Sequence, residues 1–141
     1  MAEIGRLMHA EGVFSKFNYD YERVVRLIST LIELDRGIAI VATEGDKIIG
    51  GFIGSLDQHW FGNDMQAYDL ALFIVPEKRQ GLTAVRLIKE YIKQAKALGA
   101  SQISIANSTG FEPERVKALF EYTGFKQVGY VMEHSPCNST S

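Results

Sequence analysis

Apolar residues recur with helical spacing in four segments of the chain. The clearest segment starts at Leu82 or Thr83 and ends before Gly99, a residue typical of a helix C-terminus. A second helix is predicted from a cap at Asp20 to Gly37. Shorter patterns at residues 4–8 and 113–120 predict two more helices. The inward stripe of the clearest helix comprises Ala84, Leu87, Ile88, Tyr91, Ile92, Ala95 and Leu98.

Between the helices, β-prone apolar runs bounded by turn residues predict five strands. The first two, residues 37–43 and 47–56, flank a tight turn at residues 44–46. A third covers residues 70–75, a short one covers 101–106, and a last strand or hairpin is expected at 125–133. Glycines within the second strand predict a bulge or a close backbone contact; they are Gly50, Gly51 and Gly54.

This order of elements defines the fold class. Two helices precede three strands, and helix, strand, helix and strand then follow. The prediction is an α/β (α+β) protein whose mixed, mostly antiparallel central sheet is flanked by helices and contains one strand–helix–strand crossover. Residues 1–133 are expected to form a single domain, and residues 134–141 a disordered polar tail.

Composition narrows the class of protein. The chain has 141 residues, is 46% hydrophobic and 23% charged, and carries a net charge of −2 without a stripe of Lys or Arg. Nucleic-acid binding is therefore not expected. No apolar run is long enough for a membrane span, and no secretory pattern is present. The single Cys137 gives neither a disulfide framework nor metal-ligand spacing, so a cytoplasmic protein without a metal site is predicted. A mostly apolar sheet edge is compatible with a homodimer.

The candidate chemistry centres on the turn between the third strand and the clearest helix. A strand that feeds a Gly-containing turn and a helix N-terminus gathers backbone N–H groups at one point, where they can hold a phosphate. Lys78 and Arg79 add positive charge there. The turn is neither a Walker loop nor a three-glycine dinucleotide motif. An ordinary connection with solvated cations therefore stays open on local features alone.

Three stretches together resemble the GNAT acyltransferase superfamily, whose members bind acetyl-CoA and acetylate amines. They are VPEKRQGLTA at 75–84, LGA at 98–100 and ALFEYTGF at 118–125. The central motif of the family has the pattern Arg/Gln-x-x-Gly-x-Gly/Ala. In this chain Lys78, Gly81 and Thr83 fill its first, fourth and sixth positions, and the turn is one residue shorter than in the family. The resemblance covers residues 1–133 and is densest over 67–125. The chain begins at the first helix, so a GNAT-like sheet is expected to lack its first strand.

The resemblance implies contacts to acetyl-CoA from the strand end, the turn, the helix start, a later loop and the last helix. The implied residues are Phe73, Ile74, Val75, Lys78, Arg79, Gln80, Gly81, Leu82, Thr83, Ala84, Asn107 and Phe120. Backbone N–H groups of residues 73–75 would bind the pantetheine arm and the oxyanion. For Asn107, the alternative of a loop residue that satisfies nearby backbone groups stays open. Arg86, one turn inside the helix, is equally compatible with simple solvation.

The catalytic groups are less clearly indicated. Asp69 is the leading candidate for the general base, because it matches a carboxylate position of the family and alternation places it on the face of Ala71 and Phe73. A plain polar residue at the strand start is the competing interpretation. His59 is the second candidate for its near-neutral pKa. Many members carry a tyrosine acid where this chain has Phe120, and Tyr122 would face elsewhere, about 200° around the helix.

Other residues of the first helix and the loops have weaker claims. Glu11 and His9 fall where family members wall the acceptor pocket, yet surface positions are favoured for both. Four aromatic residues could line that pocket, although packing roles are favoured; they are Phe14, Phe17, Trp60 and Phe61. The acidic residues Glu11, Asp57, Asp64 and Asp69 are too dispersed to identify the acceptor.

Two functions follow from these observations. The first is an N-acetyltransferase that moves an acetyl group from acetyl-CoA to a primary amine by direct attack in a ternary complex. Cys137, in the tail, argues against a covalent intermediate. The second is a non-catalytic CoA-binding or sensor module, motivated by Phe120 and the missing first strand. A donor other than acetyl-CoA also stays open.

Overall fold

The computed structural model describes residues 1–11 and 13–136. Four helices and four strands lie in these ranges. The helices are α1 (Ala2–Glu11), α2 (Tyr21–Glu33), α3 (Thr83–Ala97) and α4 (Pro113–Tyr122), and 3₁₀ turns occupy Val13–Lys16 and Pro76–Lys78. The strands are β1 (Gly37–Glu44), β2 (Lys47–Gln58), β3 (Met65–Ile74) and β4 (Gln102–Ile103).

The predicted caps explain where the elements begin and end. The Asp20 carboxylate accepts the amide N–H of Arg23 at 3.0 Å, which starts α2. Gly45 (φ +62°) turns the chain between β1 and β2, and Gly99 (φ +90°) lies just beyond α3. Pro113 occupies the first turn of α4, after Glu112 in the left-handed conformation at φ 38°.

The four strands form one mixed sheet in the order β1-β2-β3-β4. β1 with β2 and β2 with β3 are antiparallel. β4 is parallel to β3 and is reached through α3, as expected for the predicted crossover. The predicted fold class, a mostly antiparallel mixed sheet flanked by helices, is confirmed. No strand precedes α1 in the described residues.

The sheet buries two separate apolar clusters, one on each face. On the α3 face, Phe52 stacks on Tyr91 with ring centroids 4.3 Å apart, and both side chains are fully buried. On the opposite face, Phe73 and Ile53 pack against Ile28 and Leu31 of α2. Because the central strands are covered on both sides, their side chains alternate between two apolar layers.

A β-bulge lies in the middle of β3. Ala71 pairs with Ile53 and Asp69 with Gly54, so Leu70 is an extra residue in the register. Beyond it, Ala71 and Phe73 pack towards α2. Asp69 instead pairs with Gly54, whose α-carbon faces Phe52 and Tyr91. Burial raises the pKa of the Tyr91 phenol, and the nearby Asp69 charge raises it further. The prediction that Asp69 shares a face with Ala71 and Phe73 is therefore wrong, because one inserted residue shifts the alternation.

The glycines of β2 have the predicted role. A Cβ on Gly51 would lie 2.6 Å from Cζ of Phe73, and one on Gly54 would lie 3.0 Å from the Tyr68 carbonyl oxygen. A larger residue would displace the Phe73 ring at position 51 and would require a small shift of the β3 backbone at position 54. The expectation of a close backbone contact and a bulge is confirmed.

Three strand predictions differ from the structure. β3 begins at Met65 rather than at residue 70, and the strand predicted at 101–106 shrinks to Gln102–Ile103. Residues 125–133 form no strand, and Val128, Tyr130, Val131 and Met132 are all more than 80% exposed. Apolar composition favours a strand, but a strand also needs a partner, and β4 is too short to provide one. Residues 137–141 of the predicted tail, including Cys137, lie outside the described residues.

Candidate active site

The site forms where β3 and β4 separate. The two strands pair only at Gln66 and Ala67, and the Ser104 amide N–H still donates to the Ala67 carbonyl at 2.9 Å. Next along the strand, the backbone partner is replaced by a side chain: the Ala106 N–H donates to the Asp69 carboxylate at 3.0 Å. Beyond Asp69 the edge of β3 opens into a cavity of about 350 Å³.

The cavity has walls from five parts of the chain: β3, the turn after it, the start of α3, the loop after β4, and α4. Nine residues named from the sequence line it: Asp69, Phe73, Ile74, Arg79, Gln80, Gly81, Ala84, Asn107 and Phe120. Four other predicted residues do not line it: Val75, Lys78, Leu82 and Thr83. The structure thus brings most of the predicted cofactor contacts around one space.

Hydrogen bonds show which backbone groups of β3 face this space. The Val75 N–H donates to the Ile49 carbonyl at 2.9 Å, so it points to β2 and not to the cavity. Amide directions alternate along a strand, and therefore the N–H groups of Ile74 and Leu72 point to the open edge. The Ile74 carbonyl accepts the Nε–H of Arg79 at 2.9 Å. Residues 72 and 74, rather than 73 and 75, present the free amides.

The N-terminus of α3, at the turn after β3, has unpaired backbone N–H groups that can bind an anion. α3 begins at Thr83, and its N-cap residue Leu82 makes no side-chain capping bond. The first N–H groups of the helix and the positive end of its dipole lie beside Gly81 and Ala84 in the cavity wall. Lys78 is turned to the other side, where its Nζ lies 2.8 Å from the Glu44 carboxylate.

Arg79 is held by contacts on every side. Its Nη1 and Nη2 lie 2.8 and 3.1 Å from the two carboxylate oxygens of Glu11, at the end of α1. The guanidinium also lies 5.3 Å from the centre of the Phe111 ring. Arg115 of α4 donates to the Arg79 carbonyl at 3.1 Å. An incoming phosphate would have to replace Glu11 as the anionic partner of this guanidinium.

The Asp69 carboxyl group in the cavity wall has a strongly perturbed pKa. Burial raises the pKa of Asp69 to about 6, and the hydrogen bonds from the backbone oppose this rise only in part. A carboxyl group with this pKa is ionised at neutral pH and is a stronger base than an ordinary aspartate, as suits a group that accepts a proton. Geometry and pKa are both compatible with a general base.

Two predicted residues of the later loop and helix have defined roles in packing. Asn107 donates to the Phe111 carbonyl at 2.9 Å and accepts the Thr109 hydroxyl at 3.0 Å, so its side chain satisfies the local loop. Phe120 lines the cavity and its ring centroid lies 6.4 Å from that of Phe125. Tyr122 is 73% exposed and lies outside the cavity, which confirms that it faces elsewhere.

The loop between β2 and β3 contributes no residue to the described walls of the cavity. His59 stacks on Phe61 with centroids 5.0 Å apart, and Trp60 is 95% exposed. None of these three residues lines either described cavity. Phe17 is 57% exposed and also lies outside both cavities. The Phe14 side chain falls outside what the structure describes.

A second, smaller cavity of about 220 Å³ lies on the α2 face of the sheet. His9 and Tyr19 form part of its wall, with ring centroids 5.2 Å apart, and the Tyr19 hydroxyl donates to the Ala2 carbonyl at 2.7 Å. The two cavities share four lining residues around the bulge: Leu70, Ala71, Phe73 and Thr109. They are therefore neighbours across the end of β3.

Sequence reasoning missed several of these residues. Glu11 and His9 were placed on the surface, but each lines a cavity. Arg115 was not considered, although an arginine two residues after the proline that opens a helix lies in its first turn, near any anion bound there. Thr109 and Phe111 gave no sequence signal, because their positions depend on how the loop after β4 folds back.

Neither metal nor membrane features accompany the site. Within residues 1–11 and 13–136, no group of three or more His, Cys, Asp or Glu side chains is placed to hold a metal ion. No helix of the same ranges has the length and apolar character needed to cross a bilayer.

Comparison with known proteins identifies the fold. The sequence matches no protein-family model and no curated protein. Solved structures do match: an aminoglycoside acetyltransferase from an uncultured soil metagenomic sample superposes with a TM-score of 0.68 at 22% identity, over 95% of this chain and 84% of that one. AAC(6')-Iy in complex with the bisubstrate analogue CoA-S-monomethyl-acetylneamine gives a TM-score of 0.72 at 15% identity, over 95% and 90%.

A third structure, glucosamine-6-phosphate N-acetyltransferase from Arabidopsis thaliana, gives a TM-score of 0.67 at 13% identity, over 82% of this chain and 76% of that one. Identities this low establish the fold and not the reaction. The splayed strands, the turn before α3 and these superpositions agree with the resemblance found in the three sequence stretches. The chain therefore has the GNAT fold, the fold of the GNAT acetyltransferases.

Proposed function

We propose that this protein is an acetyl-CoA-dependent N-acetyltransferase that acts on a primary amine. The observation that carries the proposal is the unpaired edge of β3 beyond Asp69, which leaves two backbone N–H groups in the wall of a 350 Å³ cavity. An unpaired inner edge is costly unless a ligand completes it. The pantetheine arm of coenzyme A, which carries amide groups, is suited to bind there as an added strand.

The other end of the cavity suits the diphosphate of the cofactor. The first N–H groups of α3 and the Arg79 guanidinium lie at the same turn, and Gly81 gives an anion close access to the backbone. The amides of Gln80, Leu82, Thr83 and Ala84 would join them as proposed contacts. Lys78 would have to leave the Glu44 carboxylate before it could contact the diphosphate. Arg115, which donates to the Arg79 carbonyl, supports the turn from α4.

The same geometry supports direct transfer. An amine must lose its proton before it attacks the thioester, and Asp69 is the proposed acceptor of that proton. The nitrogen forms a bond to the acetyl carbon, and the carbonyl oxygen takes up the negative charge. The Ile74 N–H is a proposed donor to that oxyanion. The C–S bond then breaks and the thiolate leaves with its electron pair, while the nitrogen, which is positively charged after the attack, releases its second proton to solvent.

The leaving group does not require a tyrosine. A thiol has a pKa near 8.5, so the thiolate is a tolerable leaving group at neutral pH and can take its proton from water. Phe120 therefore removes the expected acid without preventing the reaction. It also gives the one specific reason to consider a non-catalytic CoA-binding module as the alternative, since the described cavity wall contains no Tyr, His or Cys.

Two measurements separate these functions. Isothermal titration with acetyl-CoA tests binding, and a thiol-release assay with a panel of amines tests transfer. Binding with thiol release that depends on the amine is expected. Binding without release from any amine would favour the module, whereas the absence of binding at saturating concentration would contradict both. Longer acyl-CoA donors in the same assay test the choice of acetyl group.

A further inference from the structure

The second cavity indicates which class of amine the protein accepts. We infer that the acceptor is a primary amine with an uncharged, apolar body about the size of a substituted benzene ring, bound between α1, α2 and β3. This inference rests on the proposed acetyl transfer. It differs from what the names of the aminoglycoside acetyltransferases among the structural neighbours indicate, because an aminoglycoside carries several charged amines.

The wall of the second cavity is apolar. Leu27 and Ile28 of α2 form one side, and Ile53 and Phe73 of the sheet form another. The described polar side chains of the wall are only His9, Tyr19 and Thr109, and no carboxylate, lysine or arginine is among them. A polycation placed there would lose its hydration without gaining an anionic partner, which is strongly unfavourable.

The size of the cavity sets the size of the body. A cavity of about 150 Å³ lined by Leu, Ile and Phe is sufficient to hold benzene. The 220 Å³ of this cavity leaves room for a ring with a short side chain, or for a branched alkyl chain. Burying such a body is expected to tighten binding about fourfold per CH₂ group, so affinity should grow with apolar area.

The two cavities meet where the amine would have to react. Leu70, Ala71 and Phe73 belong to both walls, and Asp69, the residue before the bulge, belongs to the first. An apolar body in the second cavity can therefore extend its amine past Leu70 towards the acetyl side. There the amine meets the proposed base and the free N–H groups of β3, while the body stays away from water.

A panel of amines tests the inference. The rate constants kcat/KM are compared for 2-phenylethylamine, 3-methylbutylamine, ethanolamine and the polycationic aminoglycoside kanamycin. The two apolar amines are expected to exceed ethanolamine by about 100-fold, in line with the apolar groups that they bury. Equal or higher values for ethanolamine or kanamycin would overturn the inference and leave acetyl transfer intact.

A pair of variants on α2 localises the effect. Leu27→Asn makes the cavity wall polar, and Ile32→Asn makes the same kind of change at a residue that is 66% exposed and outside the cavity. Leu27→Asn is expected to raise KM for 2-phenylethylamine about tenfold and to leave the Kd for acetyl-CoA unchanged. Ile32→Asn should change neither. An unchanged KM in a folded Leu27→Asn variant would contradict the assigned pocket.

Direct binding keeps the two proposals separable. If no amine causes thiol release, calorimetry with 2-phenylethylamine still tests whether the second cavity binds an apolar amine. Binding that is weakened by Leu27→Asn and not by Ile32→Asn supports the inference even though the proposed transfer has failed. No binding of 2-phenylethylamine to the unmodified protein overturns the inference.

Discussion

The two halves of β3 differ in what lies at their outer edge. At Gln66 and Ala67 the edge is paired with β4, and the flanking layer is closed by buried Tyr91. From Leu70 to Ile74 the edge has no strand beside it and borders the larger cavity. Unpaired edges are normally protected, because they invite pairing with other chains. The difference indicates that the paired half completes the sheet and that ligand binding belongs to the open half.

The transition between the halves depends on few contacts. The bulge at Leu70 changes which side chains face α2 and α3, and the Asp69 carboxylate substitutes for the next backbone partner of Ala106. A side chain that takes the place of a backbone hydrogen-bond partner can hold β3 and the segment after β4 at a fixed separation while the cavity between them stays open. Perturbing each half separately should therefore affect different properties, namely folding on one side and cofactor or acceptor chemistry on the other.

The largest effect on stability is expected in the buried cluster around Tyr91, the ring that closes the layer beside the paired half. Phe52→Ala removes a fully buried ring that stacks on Tyr91 and should lower the free energy of unfolding by about 3–5 kcal/mol. Phe61→Ala makes the same chemical change at a ring that is 70% exposed and should cost less than about 1 kcal/mol. Urea unfolding measures both. Similar losses in the two variants would show that the α3 cluster is not the main core.

The largest effect on catalysis is expected at Asp69. Asp69→Asn keeps the shape and can still accept the Ala106 N–H, but it cannot take a proton at neutral pH. Removing a general base typically costs 100-fold or more, so we expect turnover to fall by about 100-fold with little change in acetyl-CoA affinity. Asp64→Asn, at an exposed loop carboxylate, is the matched control. Unchanged turnover would exclude Asp69 as the base.

The pH dependence of Asp69→Asn gives a second test of the same residue. The pKa of Asp69 in the folded protein, about 6, lies above its usual value of 3.8. The folded state thus binds the proton more tightly, and this contribution to stability is lost as the pH rises from about 4 through 6. Asp69→Asn should remove that loss. The rate, corrected for the fraction of neutral amine, should also lose its rise near pH 6.

At the open end of the cavity, Arg79 should matter for affinity and not for folding. Arg79→Ala removes a charged donor at the turn and is expected to weaken acetyl-CoA binding by about 1–3 kcal/mol. Part of the wild-type interaction is offset, because Glu11 must first release the guanidinium. Glu11→Gln should therefore tighten binding slightly. Arg86→Ala, at an exposed position of α3, serves as the control in titration calorimetry, and equal Kd values for both arginine variants would contradict the role of Arg79.

The sequence predicted the elements well where a local signal exists. The Asp20 cap, the turn at Gly45 and the end of α3 before Gly99 are set by residues a few positions apart, so they can be read from the chain. The prediction of a strand at 125–133 was wrong, because strand formation depends on a pairing partner elsewhere in the fold. The prediction of the strand face of Asp69 was wrong for a similar reason, since the bulge at Leu70 arises from the pairing of β3 with β2.

For the candidate site too, residues that are contiguous in sequence were predicted and residues from distant segments were not. Residues of the turn were predicted because strand, glycine and helix start are contiguous, and most of them line the cavity. Glu11, Arg115 and the apolar pocket under α2 were not predicted, because they come from segments that are distant in sequence. Only the folded chain brings the end of α1 within 2.8 Å of Arg79.

The smallest effect is expected at the point where the two halves meet. Tyr91 donates its hydroxyl to the Ser104 carbonyl at 2.7 Å, and Ser104 in turn bonds to Ala67, the last paired residue of β3. Tyr91→Phe keeps the buried ring and its stacking on Phe52 but deletes this hydrogen bond. The free energy of unfolding should therefore fall by about 1 kcal/mol. Tyr122→Phe, at an exposed hydroxyl, should have no effect on the urea midpoint. Because Ser104 leads into the loop that walls the cavity, Tyr91→Phe should also weaken acetyl-CoA binding by a few-fold at most. A large loss of affinity without any loss of stability would contradict this prediction, because the hydrogen bond would then act on the open half and not stabilise the paired half.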